Sequence, residues 1–253
     1  MMRLATRDYK TWKISSLHSI FKYILDICSI YEYYRFMKKI FLNNIANIFT
    51  GIVLPKDKSS LDLSSNDSEE SPFEKIPKRE YKIINISDID DDGNISKSLS
   101  EVKLDDSAKV RKYAVTYNNI LISSRGTKMK TAIVPETIKS NTLISSNLIC
   151  IQIQDTSKYP SEVLYFFLRS IYGNKALRKL SSSSEGTVNL NQKILSKLEV
   201  PLFEDEKIKE KIIEGVRALN EIKGLFIDQR DSFSLVEKTL EANYFKKYED
   251  KFE

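Results

Sequence analysis

The sequence predicts an α+β fold: a mixed α/β domain followed by a long C-terminal helix of the coiled-coil type. Between residues 81 and 153, short apolar runs with β-forming side chains alternate with polar turns, which is the pattern of half-buried strands. After residue 160 the apolar residues recur at intervals of three and four, which is the helical period. A run of strands that precedes the helices in this way indicates an α+β arrangement.

Composition limits the chemistry available to the chain. It has 253 residues and a net charge of +5, so it can bury a full core and attract an anionic partner without requiring one. Two cysteines, Cys28 and Cys150, and one histidine, His18, are too few for a disulfide framework, a zinc site or a histidine-based triad. We therefore expect no metal and no cofactor. No apolar run has the length of a membrane span, which favours a cytoplasmic location.

The chain divides into three segments. Residues 1–36 have a helical apolar pattern and are predicted to form an N-terminal helical appendage. Residues 37–203 are predicted to hold the strands and short helices of the central domain, and residues 204–253 are predicted to form the long helix. The Ser- and Asp-rich stretch 56–70 is predicted to be a flexible surface loop.

The elements of the central domain are expected in a definite order. Strands are predicted at 81–86, 115–122, 132–134 and 148–153. One helix is predicted over 161–179, with Ser161 resembling an N-cap. Its apolar stripe consists of Val163, Leu164, Phe167, Leu168 and Ile171. A short helix over 191–198 and a short strand over 198–202, stopped by Pro201, complete the domain.

The last segment carries a heptad seam. Ten positions from 208 to 240 are separated by alternate steps of four and three, and eight of them are apolar. The seam predicts one long helix, or two with a break near Gly224, packed on a partner helix; the alternative is an amphipathic helix lying on its own domain. Its apolar members are Ile208, Ile212, Leu219, Ile222, Phe226, Phe233, Val236 and Leu240.

Motifs of ion binding and catalysis are incomplete. Residues 88–95 begin like a calcium loop, but Leu99 occupies the twelfth position, where a bidentate glutamate would complete the oxygen cage. A tight turn at 92–94 is expected instead. The seven glycines are isolated, so no glycine-rich loop surrounds a phosphate, and no serine has a placed base. We expect a protein without catalytic activity of its own.

Residues 123–130, here called the basic turn, lie between two predicted strands and contain no acid. Lys and Arg neutralise phosphates, Arg also binds guanine in a bidentate way, and a glycine permits close approach of the backbone. The candidate DNA-binding residues in this turn are Ser123, Ser124, Arg125, Gly126, Thr127, Lys128 and Lys130. A second polar segment, 181–189, adds small hydroxyl and amide side chains. The remaining candidates are Lys112, Lys179, Ser183, Thr187 and Asn189, and the alternative is that both segments are ordinary solvated loops.

Seven short blocks follow one another along the chain: LNNIANIFTG (42–51), YKIINISDIDDDGN (81–94), NILISSRGT (119–127), SNL (146–148), FFLRS (166–170), GTV (186–188) and LEVPL (198–202). In this order, with a long helix after them, they resemble the target recognition domain of type I restriction-modification DNA specificity subunits. The resemblance extends from about residue 41 to residue 225. Two positions depart from the family pattern, because Asn119 replaces the usual Asp and the helix begins without the family's Gln.

The resemblance implies a mixed α/β domain that reads one half of a split double-stranded DNA sequence, and a helix that docks methyltransferase subunits. Members usually have two such domains and two long helices, whereas this chain has room for one of each. It therefore resembles a half-subunit that pairs with its own copy or with another half. The implied partners are DNA, a DNA methyltransferase (modification) subunit and a restriction subunit, and the implied role is phage defence.

Two other classes of protein fit the same residues. One is the recognition domain of a fused methyltransferase-nuclease, which S-adenosylmethionine binding by this chain would support. The other is a coiled-coil interaction module or inactive remnant, in which the seam binds a protein and the basic turn has no ligand.

Overall fold

The computed structural model describes residues 37–54, 77–181 and 187–224. Several predictions lie outside the described residues: the appendage 1–36 with His18 and Cys28, the loop 56–70, Ser183, and the seam positions Phe226, Phe233, Val236 and Leu240. The described chain divides into two compact units. One runs to Ile212 and contains all of the described strands, and the other contains the helical residues 213–224.

The described strands and helices are short. The strands are β1 Lys39–Phe41, β2 Ala46–Thr50, β3 Lys78–Ile84, β4 Ser100–Asp105, β5 Ile120–Ser123, β6 Arg125–Gly126, β7 Thr131–Ile133, β8 Thr142–Ile144, β9 Leu148–Ile153, β10 Val188–Asn189 and β11 Glu199–Pro201. The helices are α1 Ala108–Arg111, α2 Ser161–Arg169, α3 Ile171–Leu180, α4 Gln192–Leu195 and α5, residues 206–224. The predicted mixed α/β architecture is confirmed, whereas a coiled coil beyond residue 224 lies outside the described residues.

Four sheets organise the strands. The largest has the order β2-β9-β5-β7 and is antiparallel throughout. The sheet β4-β3-β8 is mixed, since β3 pairs antiparallel with β4 and parallel with β8. Two ribbons, β1-β11 and β6-β10, join strands that are far apart in the sequence. The second ribbon contains Arg125 and Gly126 of the basic turn.

The core lies around the central strand β5, in which all four residues are buried. Leu121 is paired with Cys150 on β9 and with Ala132 on β7, and all three belong to one apolar cluster. Full burial of a Leu or Ile side chain contributes roughly 1.5–3 kcal/mol. A slip of one residue would move these side chains to the other face of the sheet, so their burial fixes the register of the strands. The basic turn therefore begins from one of the best-anchored strands.

Strand β5 is shorter than the predicted strand 115–122. Asn118 has a positive φ of 65°, which breaks the extended backbone. The side-chain oxygen of Asn119 accepts a hydrogen bond from the backbone N–H of Thr116 at 3.0 Å, closing a turn. The predicted strands at 148–153 and 198–202 correspond to β9 and β11, and the predicted short helix to α4.

The single helix predicted over 161–179 is wrong, because two helices meet at Ser170. Ser170 has ψ of 162°, and its hydroxyl accepts a hydrogen bond from the N–H of Gly173 at 3.0 Å, which caps α3. Ile171 consequently leaves the apolar stripe and is 68% exposed. Ser161 is not the N-cap either, since Pro160 holds that position and Ser161 is the first helical residue.

Candidate nucleic-acid interface

The basic turn is closed by hydrogen bonds between its two ends. The N–H of Ser123 donates to the carbonyl oxygen of Lys130 at 2.9 Å, and the N–H of Lys130 donates to the Ser123 hydroxyl at 3.1 Å. Ser123 is fully buried. Its hydroxyl thus joins the two ends of the turn inside the protein. Between these ends, Arg125, Thr127 and Lys128 are exposed.

The basic turn and the second polar segment form one surface. In the β6-β10 ribbon, Arg125 is paired with Asn189 and Gly126 with Val188. The N–H of residue 190 extends this contact, donating to the carbonyl oxygen of Ser124 at 2.7 Å. The sequence indicated each segment separately, but their pairing is a tertiary feature that no local pattern contains.

The predicted site residues differ in exposure. Arg125, Thr127, Lys128, Lys179, Thr187 and Asn189 are exposed, and Ser124, Gly126 and Lys130 are partly buried. Lys112 is exposed on another part of the fold, at the end of α1 beside the β4-β3-β8 sheet, with its ammonium 5.0 Å from the ring of Tyr113.

Gly126 has φ of 154°, and a Cβ there would lie 2.8 Å from the carbonyl oxygen of Lys128, so a side chain would strain the turn.

Lys130 binds inward to a neighbouring turn. Its ammonium donates to the carbonyl oxygens of Ile86 at 3.3 Å and Ile89 at 2.5 Å. Ile89 lies within residues 88–94, here called the Asp-rich turn, and Ile86 lies two residues before it. Lys130 therefore fastens the Asp-rich turn to the basic turn, and this contact occupies the side chain that the sequence suggested for a DNA phosphate.

The Asp-rich turn is a tight turn, as predicted. The carboxylate of Asp90 accepts hydrogen bonds from the backbone and side-chain nitrogens of Asn94, at 2.8 and 2.7 Å. Burial raises the pKa of Asp90, but these bonds and those from the N–H groups of Asp92 and Gly93 outweigh it, so the pKa lies below its ordinary value. The carboxylate is thus committed to holding the turn.

Two arginines on the helices complete the surface. Arg178 on α3 donates to the carbonyl oxygen of Thr127 at 2.7 Å. Arg169 on α2 donates to the carbonyl oxygens of Thr131 at 3.2 Å and Asp91 at 3.4 Å. Neither residue is among the site residues predicted from the sequence, although Arg178 directly precedes the predicted Lys179. Their role depends on the fold of α2 and α3 against the turn.

No group of three His, Cys, Asp or Glu side chains in 37–54, 77–181 and 187–224 is arranged to hold a metal ion. Cys150 is buried beside Asn119, and burial raises the pKa of its thiol well above the ordinary value. None of the described helices is both long and apolar enough to pass through a membrane.

Helix α5 carries the described part of the heptad seam. Ile212 is fully buried, whereas Ile208 and Ile222 are partly buried and Leu219 is 41% exposed. The helix thus has both a buried position and accessible apolar side chains at heptad spacing.

Comparison with solved structures gives matches to restriction-modification proteins. The HsdS subunit from Thermoanaerobacter tengcongensis shares 16% identity with a TM-score of 0.47, covering 79% of this chain and 47% of that one. A type I S subunit from M. genitalium shares 16% identity with a TM-score of 0.41, covering 79% and 41%. The type IIG restriction endonuclease BpuSI shares 13% identity with a TM-score of 0.48, covering 80% and 28%. The chain spans less than half the length of each of these proteins.

The amino-acid sequence was also compared with curated proteins and with models of protein families. A search of curated proteins found no match. The model of the type I restriction modification DNA specificity domain matches residues 37–225. This range contains every described residue, including all of the strands and turns discussed above. Since this match covers most of the chain, the protein belongs to the type I restriction modification DNA specificity domain family.

Proposed function

We propose that this chain recognises a specific sequence in double-stranded DNA as a non-catalytic half-subunit of a type I restriction-modification system. In this role it directs a partner adenine methyltransferase and endonuclease to that sequence. The observation that carries the proposal is the β6-β10 ribbon, which presents Arg125 and Asn189 together on an exposed surface of a DNA specificity domain.

The chemistry of this ribbon suits base recognition. Arg binds the O6 and N7 atoms of guanine in a bidentate way, and Asn binds the N6 and N7 atoms of adenine. Around them, Thr127, Lys128 and Lys179 are exposed and supply hydroxyl and cationic groups for the backbone. The site therefore combines side chains that specify a sequence with side chains that position the duplex.

Helix α5 supports the half-subunit part of the proposal. Leu219 is 41% exposed, and Ile208 and Ile222 are partly accessible at heptad spacing. Pairing with the same helix of a second chain would bury these side chains and bring two recognition domains into one assembly. A paired assembly reads two half-sites at a fixed separation, which is the geometry a methyltransferase partner would use.

Selection from a random pool of duplexes at two salt concentrations tests the proposal, with the solution mass measured on the same sample. Two copies of a short motif at fixed spacing, together with a dimer mass, would support a specificity half-subunit. A single enriched motif with a monomer mass would support DNA recognition and contradict pairing. Absence of binding even at low salt would contradict DNA recognition and favour an interaction module.

The pairing is tested by a double variant, Leu219→Asp with Phe226→Asp. Two buried charges at the seam oppose helix pairing, so the solution mass should fall to that of one chain while the recognition domain remains folded. The matched control is Glu221→Asp, a change at an exposed position of the same helix. An unchanged mass in the double variant would rule out pairing through this seam.

A further inference from the structure

A groove lies between the basic turn, the Asp-rich turn and helices α2 and α3. Its volume is about 250 Å³. Among the residues that line it are Asp91, Lys128, Lys130, Thr131, Arg169 and Arg178. The volume is below the roughly 300 Å³ at which pockets for drug-sized ligands begin, so the groove suits one small polar group.

Cations outnumber acids among the side chains that line the groove. Four of its lining side chains are cations, namely Lys128, Lys130, Arg169 and Arg178, and the acid among these lining residues is Asp91. The hydrogen bonds described for Lys130 and Arg169 go to backbone carbonyl oxygens, which carry no formal charge. The ammonium of Lys130 and the guanidinium of Arg169 are therefore held in place by the backbone.

The ion pair between Lys128 and Asp91 across the groove is weak. The ammonium of Lys128 lies 3.8 Å from the carboxylate of Asp91, and the two side chains are 84% and 68% exposed. This separation is too long for a hydrogen bond, and such exposed pairs contribute little to stability. An incoming anion can displace Asp91 from Lys128 at small cost.

We propose that this groove binds a single phosphate group, with Lys128 and Arg178 as the principal contacts and Asp91 as an intramolecular competitor. The assignment of that phosphate to the DNA backbone rests on the function proposed above. Arg178 holds the carbonyl oxygen of Thr127, so the groove borders the turn that carries Arg125. A phosphate bound here fixes the register of the duplex relative to Arg125 and Asn189.

The inference makes Asp91→Asn the decisive variant. Removing the competing charge while keeping the side-chain shape should tighten binding to specific and random duplexes alike. A variant that merely damages the fold cannot produce tighter binding. Lys128→Gln should weaken binding to both duplexes and reduce the slope of log affinity against log salt by about 0.9, the value for one lost phosphate contact.

The matched control is Lys103→Gln, which removes a cation from an exposed position on β4, in a different sheet. It should leave both affinity and salt slope at their original values. Unchanged binding in Asp91→Asn, together with a Lys128→Gln slope equal to that of the control, would overturn the groove inference. If a motif is still enriched in that case, the proposed function stands without it.

A second measurement separates the two proposals when the chain binds no duplex. Inorganic phosphate is titrated at constant ionic strength, and the amide resonances of residues 127–131 are followed by NMR. Saturable shifts, with tighter saturation in Asp91→Asn, would show that the groove takes a free phosphate group although DNA recognition has failed. Absence of shifts would overturn the groove inference as well.

Discussion

Arg125 and Asn189 lie directly opposite each other in the antiparallel β6-β10 ribbon, and both are exposed. Directly opposed residues in such a ladder project their side chains from the same face. The two groups best suited to reading guanine and adenine are therefore neighbours on one surface. Arg125 and Asn189 are far apart in the sequence, and they become neighbours only when β6 and β10 pair.

The first prediction concerns this pair. Arg125→Ala and Asn189→Ala should each weaken binding to the motif enriched from the random pool of duplexes by about 1–3 kcal/mol. The reason is that each variant would remove a bidentate base contact that the proposed function assigns. Binding to random duplexes should change much less. Titration of both duplexes with the two variants and with Lys103→Ala as control measures the difference. Equal losses on both duplexes would assign these side chains to the phosphate backbone instead.

Strands with strong apolar patterns were predictable from the sequence. The run Leu148–Ile153 is apolar at five of six positions and forms β9 over the same residues. The strand β4, Ser100–Asp105, was missed because its pattern is mostly polar and it is stabilised by pairing with β3. Its existence depends on a neighbour that lies elsewhere in the sequence, so local composition cannot indicate it.

The candidate site was predictable only in part for the same reason. The basic composition of residues 123–130 identified the turn, but composition cannot distinguish an outward cation from an inward one. Lys128 is exposed, whereas Lys130 binds two carbonyl oxygens of another segment. Arg169 was missed because its contacts lie on Thr131 of β7 and on Asp91 of the Asp-rich turn, far from α2 in the sequence.

The second prediction concerns Gly93 in the Asp-rich turn. Its φ is +83°, and a Cβ there would lie 2.4 Å from the carbonyl oxygen of Thr131. Gly93→Ala should therefore lower the free energy of unfolding by more than the roughly 1–2 kcal/mol of a left-handed backbone alone. Gly224→Ala is the control, since nothing lies within 4 Å of its Cβ position. Denaturant unfolding of both variants measures the contrast, and equal effects would contradict the close packing of Gly93 against Thr131.

The third prediction contrasts two buried hydroxyls. The hydroxyl oxygen of Thr142 is buried and has no hydrogen-bond partner among the described residues. Thr142→Val should therefore be neutral or stabilising by up to about 1 kcal/mol. Ser170→Ala should instead cost about 0.5–2 kcal/mol, because Ser170 caps α3 and also donates to the carbonyl oxygen of Phe167 at 2.6 Å. Thermal and denaturant unfolding compare the two, and a marked loss in Thr142→Val would indicate a partner for that hydroxyl.

The fourth prediction concerns acid stability and follows from Asp90. Its pKa in the folded protein is lowered, so the carboxylate contributes stability that is fully present above the unfolded pKa, near 3.9. That contribution declines as the pH falls and is lost below the folded pKa. The difference in unfolding free energy between the original protein and Asp90→Ala should therefore be constant above about pH 5 and shrink towards pH 2.

Asp90→Asn separates the charge from the shape of this side chain. Its amide oxygen can still accept a hydrogen bond from the N–H of Asn94, so it should be more stable than Asp90→Ala at neutral pH and show the same loss of pH dependence. Because Lys130 fastens the Asp-rich turn to the basic turn, acid should also broaden the NMR signals of residues 123–130 in the original protein. A stability difference that stays constant down to pH 2 would contradict the assigned role of the Asp90 carboxylate.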